Sequence, residues 1–144
     1  MNMVADITGV AHVIQMAVAP VFLLTGVAGL LSVLVNRLGR VVDRFRTLQG
    51  RLPELQGESR EVAQEEVAVL ERRTWLIQRA IALCTGGALL VCMVIATLFV
   101  GSLGQWEVSM VIASLFILAM VSLVAGLLLF LREIHLSTGY MHRL

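Results

Sequence analysis

Three stretches of the chain carry no charged side chain: Val13 to Asn36, Ala80 to Trp106, and Val108 to Leu131. A helix needs about 20 residues to cross the hydrocarbon core of a bilayer. The pattern therefore predicts three spans, at about 13–36, 80–104 and 108–131. Gly101, Ser102 and Gly104 fall between the second and third, which predicts a tight turn within residues 101–107. Pro20 lies in the first third of the first span, where a kink or local break is expected. Ahead of that span, Met1 to His12 carries only Asp6 as a formal charge. These residues read as a short tail without the basic segment of a cleavable leader.

The charged stretch between the first two spans keeps a helical pattern. Leu34, Leu38, Val41, Phe45, Leu48 and Leu52 recur at alternating steps of four and three, the seam of a helix packed on one partner. The first span is thus expected to continue beyond the membrane. Gly50, Pro53 and Gly57 interrupt the pattern, and Ser59 is placed to cap a new helix with Glu61 in its first turn. From there Ala63, Val67, Leu70, Thr74, Ile77, Ile81, Cys84 and Ala88 repeat the same steps. One helix from Ser59 to about Val100 is expected. Residues 37–79 then form an antiparallel helical hairpin built from extensions of the first two spans.

Composition places the chain among integral membrane proteins: 58% of residues are hydrophobic and the mean hydropathy is +0.89. The net charge of +1 points to neither a nucleic-acid binder nor an enzyme for acidic substrates. The distribution of charge says more. All eleven basic residues are arginine; nine lie between Arg37 and Arg79, and the others are Arg132 and Arg143. By the positive-inside bias the loop and C-terminus are cytoplasmic and the N-terminus is outside. Trp75 and Trp106 would flank the second span at its two interfaces.

Arg37 to Arg51 carries five arginines and one aspartate, whereas Glu54 to Glu71 carries six glutamates and one arginine. Antiparallel pairing would bring Glu58, Glu61 and Glu65 near Arg46 and Arg51. Exposed pairs of that kind contribute only ~0.2–1 kcal/mol each and set register more than stability. Val62, Val69 and Leu76 form a second apolar stripe, rotated about 100° from the seam. A homo-oligomer is the simplest source of a partner for it.

Within the first span Gln15, Thr25, Ser32 and Asn36, joined by Gly29 and further along by Arg40, project within about 100° of arc. Such a stripe lines a water-filled path with Asn36, Arg37 and Arg40 at its inner mouth, or marks a dry contact between helices. In the second span Ala80, Cys84, Ala88, Cys92 and Ala96 occupy every fourth position, a ridge that lets another backbone approach. Ser122 and Gly126 repeat the spacing on the third span. Cys84 and Cys92 would lie roughly 12 Å apart on one helix, too far for a bridge. His135 and His142 share a helical spacing but lack a third metal ligand at suitable distance. No catalytic or phosphate-loop motif is present and no carboxylate falls inside a span, so no enzyme, metal or cofactor is expected.

The segments NRLGRVVDR (Asn36 to Arg44), LCTGGALLVC (Leu83 to Cys92) and LFILAMVSLVAGLLLFLREI (Leu115 to Ile134) together resemble a bacterial membrane-protein family known as domain of unknown function 2721. The likeness extends from Gln15 to Ile134. It implies a three-span inner-membrane protein and brings no substrate, cofactor or catalytic residue. The expectation is an all-α, homo-oligomeric membrane protein in contact with lipid and itself. Two activities fit: a channel-like pore lined by the first span and passing ions, or a non-conducting scaffold or regulator that binds a partner or anionic lipid through its charged hairpin.

Overall fold

A computed structural model describes residues 2–104 and 106–141, and they form three long helices. Helix α1 is Asn2–Arg51, α2 is Glu58–Gly104 and α3 is Ser109–Met141. A short 3-10 turn, Leu52–Glu54, follows α1. Each long helix is long and apolar enough to cross a membrane. Helices suit that solvent because every interior backbone N–H and C=O finds its partner within the segment.

Four local expectations need correcting. Asn2 to His12 belong to α1 rather than to a tail, and Pro20 marks no break, since the helix runs through it. Gly50 is helical as well, so the break comes only at the 3-10 turn with Pro53 near its start. Ser59 lies inside the first turn of α2 and does not cap it. Gly57 precedes that helix with φ at +62°, and its carbonyl accepts from the backbone N–H of Arg60 at 3.0 Å. Residues 132–141 continue α3. The pairing considered for His142, and the position of Arg143, lie outside the described residues.

The seam foreseen in the charged stretch is the packed face. Leu34, Val41 and Leu48 are buried on α1, with Leu38 and Phe45 half-buried between them. On α2, Ala63, Leu70, Ile77 and Cys84 are buried and Val67, Thr74 and Ile81 half-buried. Steps of four and three average 3.5 residues against a helical turn of 3.6, so one face stays turned inward over many turns. Leu76, assigned to a second stripe in need of an outside partner, is buried within the chain, whereas Val62 of that stripe is exposed.

The chain divides into two compact units. In the first, Met1–Leu30 with Leu83–Val124, α2 and α3 meet through small residues. A Cβ built on Gly87 would lie 2.9 Å from Leu123 Cγ and 3.3 Å from the Ala119 carbonyl oxygen. The two backbones approach that closely only because glycine has no side chain. Ser122 Oγ donates to the Leu83 carbonyl at 2.7 Å, bridging the same contact. Between apolar helices in lipid such a bond contributes about 0.6 kcal/mol. Ser122→Ala is accordingly expected to lower stability by about that amount in a detergent unfolding titration. The second unit, Leu31–Ala82 with Ala125–Leu144, holds the apolar seam and, beside it, a cluster of charged contacts.

Candidate functional site

The centre of the second unit is Glu133 on α3, the one charged side chain among the described residues that is wholly buried. Two arginines reach it from two other helices. Arg37 on α1 donates through Nε to Glu133 Oε2 at 3.0 Å, with its Nη2 at 2.9 Å. From α2, Arg73 donates through Nε and Nη2 to Oε1 at 3.0 and 2.9 Å. Oε1 thus accepts two N–H groups from Arg73, and Oε2 accepts one from Arg37 with the Arg37 Nη2 beside it as an ion pair. The Arg37 guanidinium also lies over the Phe130 ring, its carbon 5.6 Å from the ring centroid.

Glu133 follows Arg132 at the end of an apolar run, a place where charges usually just mark the end of a span. Its role as a clamp across three helices left no signal in spacing, because its partners are 60 and 96 residues away. The seam carried half of the information. Arg37 and Arg73 each sit about 50° from the buried line of their helices at 100° per residue, which lets their long side chains reach past it.

Beside the clamp lies a recess of about 300 Å³, lined by Arg37, Arg40, Arg44 and Arg73 over Val41 and Leu70, with Ser137 on its edge. Arg44 Nε donates to Glu66 Oε1 at 2.9 Å. That pair is largely exposed on the arginine side and contributes little to stability. Four guanidiniums line this recess, and among the described residues Glu133 and Glu66 are the carboxylates paired with three of them.

The charge pairing expected along the hairpin is displaced. Arg46, Arg51, Glu58, Glu61 and Glu65 are all exposed, and none makes a salt bridge among the described residues. Pairing runs through Arg44 and Glu66 instead. Glu66 lies about 40° from the α2 seam, whereas Glu58, Glu61 and Glu65 lie roughly 120–180° away from it.

On α2 the ridge of small residues is only partly a contact. Ala80 and Cys84 are buried and Ala88 half-buried, but Cys92 and Ala96 are exposed. Every-fourth positions advance about 40° per step round a helix, so a four-step line leaves the packed face that Gly87, Val91 and Val94 follow. Both cysteines are free thiols. On α3, Ser122 is half-buried and Gly126 buried, as a contact surface of small residues requires. Trp75 and Trp106 are exposed, and the Arg79 guanidinium stacks 5.3 Å from the Trp75 ring centroid.

The polar stripe of α1 faces away from the rest of its own chain. Gln15, Thr25, Gly29, Ser32, Asn36 and Arg40 are all exposed. Thr25 Oγ1 donates to the Val21 carbonyl within the helix, but Gln15, Ser32 and Asn36 have no side-chain hydrogen bond among the described residues. Arg37, expected with Arg40 at the end of the stripe, turns instead to Glu133.

Three apolar helices of spanning length, joined by a charged segment and clamped through a buried carboxylate, define a multi-pass helical membrane-protein architecture. Residues 17–143 match the model of a family described as a protein of unknown function, DUF2721. The chain belongs to that family. No curated protein and no solved structure matches it.

Proposed function

We propose that this protein assembles from several copies in a cell's inner membrane, with the polar stripe of α1 lining a shared, channel-like path. In that arrangement residues 37–79 form an antiparallel hairpin on the cytoplasmic side, with the C-terminus beside it and the N-terminus outside. The arginine distribution supports this orientation. The Arg44–Glu66 pair, together with Arg37 and Arg73 on one carboxylate, supports the antiparallel course.

The observation that carries the reading is that Gln15, Ser32 and Asn36 are exposed on the uncharged part of α1 without side-chain hydrogen bonds among the described residues. Polar side chains left facing hydrocarbon are costly, and such residues in membrane helices face a water-filled cavity or another helix. Asn36 and Arg40 then stand at the inner mouth, where a ring of arginines favours anions over cations.

Gly29 supplies a test, because a Cβ there would meet nothing within 4 Å in the single chain. Gly29→Leu is expected to leave the thermal stability of the three-helix chain unchanged while reducing the assembled state and any conductance in planar bilayers. Arg40→Glu should reverse the anion preference. Silent bilayers with the unaltered protein, or a Gly29→Leu protein that assembles and conducts as before, would sink the pore. A second reading, a non-conducting scaffold or regulator, is favoured by Glu58, Glu61 and Glu65, which are exposed and make no salt bridge among the described residues. It requires a partner lost when these three are changed to glutamine while the assembly survives.

A further inference from the structure

We infer that the recess beside the Glu133 clamp is a binding site for a phosphate group, carried either by a membrane phospholipid or by a soluble anion. This stands whether or not copies assemble or conduct.

A guanidinium has five N–H donors; Glu133 takes one hydrogen bond from Arg37, whose Nη2 lies 2.9 Å from the same oxygen, and two from Arg73. At least three remain on each, on side chains whose positions the clamp already holds. Arg40 lines the same recess and makes no ion pair among the described residues, so all of its donors are uncommitted. Donors held in place before a ligand arrives spare the entropy of ordering them, which favours binding.

The donor set selects the ligand class. Only cationic and neutral donors line the opening, and both oxygens of the one buried carboxylate are already paired with arginine, so a metal cation has nothing to bind. A carboxylate ligand has two oxygens in one plane. A phosphate presents oxygens in a tetrahedron, which suits three or four guanidiniums coming from two helices. Val41 and Leu70 form an apolar floor, where lower polarity strengthens each charge-assisted bond.

Position favours a headgroup as one source. Arg37 directly follows the first apolar run and Glu133 comes two residues after the third, the depth at which phospholipid phosphates lie. A free phosphate from the adjoining water would meet the same donors.

The full-length protein in a neutral detergent would be titrated calorimetrically with dihexanoyl-phosphatidylglycerol below its micelle concentration and, separately, with inorganic phosphate at constant ionic strength. Saturable binding of the lipid alone assigns a headgroup site; binding of inorganic phosphate, with or without the lipid, assigns a site for the phosphate group itself. Arg40→Ala leaves the clamp intact and should weaken whichever probe binds by about tenfold. Arg60→Ala removes the same charge from an exposed position outside the recess and should change affinity less than about twofold. No saturable binding of either probe, or equal losses in the two variants, would overturn the inference.

Discussion

Glu133→Ala should cost more stability than any other single substitution in this chain, toward the lower end of the ~3–5 kcal/mol seen when one partner of a buried ion pair is removed. The carboxylate is wholly buried, but its two arginines retain about a fifth to a quarter of their side-chain exposure, so water can recover part of the loss. The change leaves two guanidiniums facing each other across a cavity, with three donors that lose their acceptor. Glu133→Gln retains the volume and two hydrogen bonds while losing the charge, and it should fall between the alanine variant and the unaltered protein. Unfolding in mixed micelles, followed by loss of helical circular dichroism, measures both. A loss below about 1 kcal/mol for the alanine variant would show that the clamp does not join the three helices. Replacing Arg37, Arg73 and Glu133 together by methionine, methionine and leucine separates stability from specificity. Apolar substitutes for a buried ion group are often neutral or stabilising, so the triple variant should regain most of the lost stability and lose the phosphate site.

Gly87→Leu comes next in expected effect. The nearest atoms to a Cβ at this position belong to Leu123 at its branch point and to the backbone oxygen of Ala119, neither of which can swing aside cheaply. Overfilling a packed contact costs typically about 1–3 kcal/mol, and leucine, with four side-chain carbons, should reach the upper part of that range. The neighbouring Gly86 is the control: the nearest atom to its Cβ would be Ser122 Oγ at 3.9 Å, an ordinary contact, so Gly86→Ala should be close to neutral. Thermal midpoints of the two variants in one detergent decide the matter. Equal effects at both glycines would mean that α2 and α3 do not pack through Gly87.

The number of long apolar helices, the helical course of the charged segments on either side of the 3-10 turn, and the packed seam from Leu34 to Leu48 and from Ala63 to Cys84 were legible in sequence. Each depends on interactions along one helix: the absence of charge over a bilayer's thickness, or an apolar repeat close to the helical period. The polar stripe from Gln15 to Asn36 was legible for the same reason, as a property of α1 alone. What required the tertiary structure was which charges meet. A local count of opposite charges pointed to Arg46 and Arg51 with Glu58, Glu61 and Glu65. The observed pairs use Arg44 with Glu66, and Arg37 and Arg73 with Glu133, because a few tens of degrees round a helix decide whether a side chain crosses the seam or points outward. The close approach at Gly87 was hidden as well, since the every-fourth ridge of Ala80 to Ala96 turns out of the contact while the heptad line stays in it. Periodicity along a chain reports which face of a helix is buried; only the packing of separate helices decides which residues on those faces touch, and here that decision turned an ordinary end-of-span glutamate into the centre of the site.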